Sequence, residues 1–143
     1  MSLTVRLVVA VVLFALLAVL AWWLERRRRG DAPTQPALAA PVQLDRADFA
    51  RPDAPWLVVL FTSSNCDSCA GLYDKAATLE SRDVAVTEVE YFGNRALHER
   101  YHVDAAPMTL VADDRGIVHA SFLGAFAAPE LWSRVADLRA ARE

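Results

Sequence analysis

The chain has 143 residues, a formal net charge of −3 and 55% hydrophobic residues, a balance that suits one small domain joined to something very apolar. The charge is unevenly placed: residues 1–30 hold five arginines and one glutamate, and the remainder holds 10 basic and 17 acidic residues. An acidic body of this kind offers no footprint for nucleic acid, and its length is enough for one compact core.

The first stretch, Leu3 to Leu24, is almost wholly apolar, and Leu7 to Leu24 contains no charge. A hydrocarbon core roughly 30 Å thick takes about 20 helical residues, which this run supplies if Arg6 snorkels to the interface. Trp22 and Trp23 stand where an aromatic belt would, and Glu25-Arg26-Arg27-Arg28-Arg29 stops the run. A cleaved signal peptide is the competing reading. The length of the run, and the lack of a small-x-small site beside it, favour an uncleaved anchor. The expected organisation is a transmembrane anchor with a basic flank over 1–29, a flexible linker over 30–41 containing Pro33, Pro36 and Pro41, and a domain over 42–143. By the positive-inside rule the four arginines after the anchor place that domain on the cytoplasmic face, the opposite face remaining the alternative. Beyond holding lipid headgroups, Arg26 to Arg29 need no further role.

Within the domain, Val42-Gln43-Leu44 reads as a short edge strand. Asp45 reads as the cap of a brief helix through Phe49. Trp56 to Thr62 is a near-continuous apolar run, as expected of a central strand buried on both faces. The chain's only two cysteines, Cys66 and Cys69, follow it. From Asp67 the period changes: Cys69, Leu72, Ala76 and Leu79 share one helical face, with Asp74, Lys75 and Thr78 turned outward. The sequence therefore predicts a helix opening beneath Cys66, slightly weakened by Gly71 and ending at Ser81-Arg82-Asp83.

Val84 to Glu90 reads as a strand with Val84, Val86 and Glu88 on one face. A short helix capped by Asn94 runs to about Tyr101. Met108 to Ala112 is the next strand. Asp113 to Gly116 is a hairpin turn in which glycine supplies positive φ, and Ile117 to Leu123 returns antiparallel. Pro129 opens a last helix with Leu131, Val135 and Leu138 on its buried face. The order β-α-β-α-β-α-β-β-α predicts an α/β fold with a mixed sheet flanked by helices.

Two cysteines two residues apart allow three readings. A structural bridge that staples a small secreted domain usually closes a longer loop. A zinc site needs a second ligand pair, which is missing. A redox pair fits the strand–turn–helix context: a free cysteine titrates near pH 8.5, and a helix N-terminus stabilises its thiolate. His98, His102 and His119 lack metal-ligand spacing and read as surface or capping residues. There is no GxGxxG and no Walker A pattern, so neither a nucleotide nor a flavin is expected, and no other cofactor or metal.

On these residues the domain resembles thioredoxin-like proteins, in particular small membrane-tethered ones. The strand Trp56–Phe61, the motif Cys66-Asp67-Ser68-Cys69, and Tyr101-His102-Val103-Asp104-Ala105-Ala106-Pro107 carry the resemblance. The Asp113–Gly116 hairpin, Gly124 and the final helix extend it. It covers residues 42 to 142 and implies a thioredoxin-like mixed sheet. It also implies that Cys66 is the nucleophile and Cys69 the resolving thiol. A cis bond between Ala106 and Pro107 would face the cysteines, and the Ala106 backbone would pair with the substrate. Where the family carries Trp-Cys-Gly-Pro-Cys, this chain has Asn65-Cys66-Asp67-Ser68-Cys69. Leu60 stands in place of a buried acid, Glu88 in place of a lysine, and Met108 where threonine is common.

Two of the departures suggest roles. Glu88, if buried, would relay the proton of Cys69. Asp67 would favour the first turn of the helix; in a sharper reading its charge opposes the Cys66 thiolate. The resemblance implies a thiol–disulfide oxidoreductase acting on protein disulfide or dithiol partners beside the bilayer held by residues 3–24. Two readings compete: a tethered Cu(I)-handling module using both thiolates with Met108, and a binding scaffold with little turnover.

Overall fold

The computed structural model of the protein describes Val5, residues 15–20 and residues 39–142. The chain separates into two units, Met1–Ala37 and Leu38–Glu143. In the first, Val5 and residues 15–20 are helical and exposed. The greater part of the expected anchor over 3–24, its basic flank and most of the 30–41 linker lie outside the described residues. Among the described residues no helix is long and apolar enough to cross a membrane.

The second unit is built on the strand that the apolar run predicts. β1 (Trp56–Thr62) is buried along its whole length. It pairs in parallel with β2 (Val84–Glu90), from Trp56 against Val84 to Thr62 against Glu90. On its other side it pairs antiparallel with β3 (Met108–Asp113), Phe61 lying against Met108. β4 (Val118–Leu123) completes a mixed sheet of order β2-β1-β3-β4. Side chains alternate across β1. Leu57, Val59 and Phe61 join Leu44, Phe49, Val89, Val103 and Leu110 on one face. Trp56, Val58 and Leu60 join Leu72, Ala76, Leu131 and Val135 on the other. Both faces are covered, which is why this strand shows no polar alternation.

α1 (Leu72–Ala77) and α3 (Ala128–Ala140) cover one face, and the Trp132 indole N–H ties them by donating to the Lys75 carbonyl at 2.9 Å. α2 (Arg95–Arg100) follows β2 at the extent expected, but the Asn94 side chain makes no capping bond. The start of the domain is less regular than the sequence suggests. Val42-Gln43-Leu44 shrinks to a single bridge between Gln43 and Ile117. Asp45 does cap the next turn, accepting from the Ala47 N–H at 3.0 Å, but that turn is a 3-10 helix over Arg46–Asp48. Side chains make up for the missing strand. The buried Arg46 guanidinium donates to the carbonyls of Ala54, Asp113 and Arg51. Tyr101 donates to Asp48 and accepts from the Asp45 N–H; burial first, and the bond to Asp48 next, push its phenol pKa up to about 12.

The main departure is the helix expected to open at Cys66. Residues Asp67–Cys69 form only a 3-10 turn, Ala70 is extended, and Gly71 takes φ +70° before α1 begins at Leu72. The helical face survives the break: Cys69, Leu72 and Ala76 are buried and Leu79 packs against them. What is lost is a continuous helix beneath the first cysteine, because glycine at position 71 turns the backbone into the left-handed region.

Candidate active site

Parallel and antiparallel pairing bring the candidate residues to one end of the sheet. β1 and β2 both finish there, and β3 starts there, so Cys66, Glu88 and Pro107 converge although far apart in sequence. Beyond Thr62 the chain turns, with the Cys66 N–H donating to the Ser63 carbonyl at 3.0 Å and the Cys69 N–H to the Cys66 carbonyl at 3.1 Å. This places the Cα atoms of Cys66 and Cys69 5.4 Å apart, and the two sulfurs are joined in a disulfide. Cys66 is half-buried, whereas Cys69 is only 8% exposed.

Cys66 stands before a three-residue 3-10 turn rather than at the start of an α-helix. The macrodipole expected to stabilise its thiolate is therefore not provided by this turn, since the dipole builds from aligned successive peptides. A different group lies beside the sulfur. The Ser68 hydroxyl sits 3.4 Å from Cys66 Sγ, and because a disulfide sulfur carries no proton, the hydroxyl is the donor. Ser68 is a functional candidate that the sequence reading passed over, although it lies in plain view between the cysteines.

Glu88 is exposed, not buried, so the desolvation on which its relay role rested is absent. It does stand at the site: its Oε1 accepts from the buried Thr62 hydroxyl at 2.8 Å, and both residues line a cleft of about 390 Å³ with Cys66 and Cys69. Glu90, which the sequence reading did not single out, accepts from the N–H of Ser64 at 3.1 Å and of Gly93 at 2.9 Å. These bonds, that of Gly93 foremost, hold its carboxyl below the usual range. They also fasten the loop before Cys66 to the loop after β2. Asp67 is exposed, with no side-chain partner among the described residues.

The Ala106–Pro107 peptide bond is cis. Pro107 is buried and its carbonyl accepts from the N–H of Gly124, at φ +88°, over 2.8 Å. Ala106 is half-buried and lines a second cleft, about 340 Å³, with Ser63, Tyr91 and His98. His98 is not the surface residue expected. It is 3% exposed, its ring meeting Phe61 and Tyr91 edge-to-face at 5.0 and 5.1 Å. Nε2 lies 3.0 Å from the Val89 carbonyl and Nδ1 3.4 Å from the Val103 carbonyl. It thus joins the end of β2 to the segment leading to Pro107. The spacing of Leu97 and His98 carries no signal for this. His119 is exposed and pairs with the buried Asp113 at 2.9 Å, at the opposite end of the sheet.

Met108 is 1% exposed and packs in the core with Phe61 and Val103. Among the described residues no group of three or more His, Cys, Asp or Glu side chains is placed to hold a metal ion.

No protein-family model and no curated protein sequence matches the chain. Solved structures do. The germline-specific thioredoxin Deadhead of Drosophila melanogaster superposes with a TM-score of 0.52 at 24% identity, over 61% of this chain and 84% of that one. A thioredoxin variant from Halobacterium salinarum gives 0.51 at 24%, over 65% and 88%. Fasciola hepatica thioredoxin gives 0.51 at 24%, over 60% and 83%. Likeness at this level carries the fold: the second unit is a thioredoxin-like mixed sheet flanked by helices, with a CxxC pair at disulfide distance.

Proposed function

We propose that the protein is a membrane-anchored thiol–disulfide oxidoreductase that exchanges disulfides with protein partners through Cys66 and Cys69. The observation that carries the reading is the bridged cysteine pair at the end of β1, where the chain also presents Ala106 and Pro107. In the reduced protein the Cys66 thiolate attacks one sulfur of a partner disulfide. A Cys66–partner bond forms and the partner's other sulfur leaves as a thiolate. Cys69, deprotonated, then attacks Cys66 Sγ. The Cys66–Cys69 bond forms, the second partner sulfur leaves, and two electrons have passed to the partner. The reverse sequence oxidises a partner dithiol.

The unequal exposure of the two residues supports Cys66 as the attacking group and Cys69 as the resolving one. Ser68, within reach of Cys66 Sγ, supplies a hydrogen bond to the thiolate in place of a helix dipole. Glu88, exposed and held by Thr62, stands in the cleft that Cys69 also lines and adds to its negative charge. The Ala106 backbone pairs with the partner segment, and Asp67 opposes the Cys66 thiolate. The apolar run over 3–24 supports an anchor in the bilayer. The arginines that follow it support a cytoplasmic domain. Confinement to that surface raises the concentration seen by membrane partners.

The test is turnover of a protein disulfide by the full chain with a dithiol reductant. Cys66→Ser abolishes turnover. Reduced Cys69→Ser, mixed with the partner disulfide after the reductant is removed, accumulates a mixed disulfide at residue 66. A wild-type rate no greater than that of the variant lacking both cysteines rejects the proposal and leaves a binding scaffold.

A further inference from the structure

Acid and base are not matched at the disulfide end of the domain. The cleft that holds Cys66 and Cys69 is lined by Asp74, Glu88, Glu90 and Tyr73 and, among the described residues, by no basic side chain. Asp67, between the cysteines, is exposed as well. Among the described residues none of these four carboxylates forms an ion pair, whereas acids elsewhere on the domain do: Glu80 with Arg51, Asp83 with Arg139, Glu99 with Arg95, Asp114 with Arg142. The closest cations in sequence are engaged elsewhere. Lys75 donates to the Phe126 carbonyl at 3.4 Å, and Arg95 is bonded to Glu99. Glu90 is fixed by two backbone N–H groups that favour its charged form. Tyr73, 39% exposed, adds an aromatic surface to the same cleft, and such a face attracts ammonium and guanidinium groups.

We propose that this cleft selects cationic partners: the segment that presents its cysteine to Cys66 carries lysine or arginine beside that cysteine. The inference rests on the thiol-exchange reading and adds its specificity. A cleft of one sign gathers ligands of the other and slows those of its own. An acidic partner segment would meet four unneutralised carboxylates at the moment its sulfur must come within bonding distance, whereas a basic one neutralises them. Asp74 and Asp67, whose carboxylates make no hydrogen bond among the described residues, are the specificity-determining positions. Glu90 is already committed to the two loops.

The experiment uses the reduced full chain and three synthetic peptide disulfides of one core sequence, flanked by two lysines, two glutamates or two glutamines. The rate of Cys66–Cys69 oxidation is followed for each at low and at high salt. The lysine peptide should react about tenfold faster than the glutamate peptide at low salt, within the range that electrostatic steering spans. That ratio should approach unity near 1 M salt, where screening acts over about 3 Å. Converting Asp67→Asn and Asp74→Asn together should reduce the low-salt ratio several-fold. Equal rates for the three peptides, or a ratio that the double variant leaves unmoved, overturn the selectivity while thiol exchange stands. No reaction with any peptide, the glutamine one included, overturns the thiol-exchange reading itself and this inference with it.

Discussion

Replacing His98 by alanine tests how the end of β2 and the proline segment are held together. The ring is 3% exposed and packs edge-to-face on Phe61 and Tyr91. Both ring nitrogens face carbonyls, and the shorter approach, 3.0 Å from Nε2 to the Val89 carbonyl, is the bond counted here. Losing that bond costs about 1 kcal/mol. Each aromatic contact contributes roughly 0.5–1.5 kcal/mol, and a cavity of ring size adds to the loss. Together His98→Ala should destabilise the domain by about 3 kcal/mol, read as a lower urea midpoint at unchanged slope. His98→Phe keeps the ring and loses the bond, so it should cost only about 1–2 kcal/mol. Because His98 also meets the Val103 carbonyl, four residues before Pro107, the alanine variant should exchange thiols more slowly than the phenylalanine variant under folding conditions. A loss below about 0.5 kcal/mol for His98→Ala, the level of an ordinary surface change, would refute the clamp.

Two glycines of similar φ separate backbone strain from steric overlap. Nothing lies within 4 Å of a Cβ added at Gly71 (φ +70°), so Gly71→Ala should cost only the left-handed penalty, roughly 1–2 kcal/mol. At Gly116 (φ +78°) the new Cβ runs into the Leu44 carbonyl, so Gly116→Ala should exceed about 3 kcal/mol and loosen the Gln43–Ile117 bridge; equal losses in denaturant melts would contradict this. Burial alone would raise the Asp113 pKa, but the bonds from His119 and from the N–H groups of Ile117 and Arg115 outweigh it and hold the carboxyl below its ordinary value. Its stabilisation is therefore full above about pH 4 and is lost as pH falls through the lower folded value; Asp113→Asn should flatten the acid limb of stability against pH. Tyr101 runs the other way. Its raised pKa favours the fold until pH passes about 10, and that gain fades towards 12; a phenol absorbance titration should show one late group that Tyr101→Phe removes.

The sheet was legible because its strands are buried in ways that leave a pattern. Trp56–Thr62 is covered on both faces and reads as an unbroken apolar run, and Asp113-Asp114-Arg115-Gly116 is turn chemistry on sight. The cysteine pair and Pro107 were legible for a related reason, since their spacing to these elements is fixed by the fold. What did not show was decided by backbone freedom and by distant partners. Gly71 in an otherwise helical pattern costs little in sequence terms, yet it divides the helix. Glu88 and Glu90 lie on the same strand, and only Thr62 at the end of β1 and the loop residues Ser64 and Gly93 determine what each accepts. Likewise the burial of His98 depends on Phe61 and on two carbonyls remote from its own helix.

The most direct trial of the account is the equilibrium reduction potential of the Cys66–Cys69 pair, measured by titrating the full chain against defined thiol buffers and counting alkylated thiols. A single two-electron transition between roughly −270 and −120 mV, the span of known dithiol exchangers, is the predicted result. A disulfide that resists reduction below about −300 mV, as structural bridges do, would mean that the pair serves only to hold the turn closed.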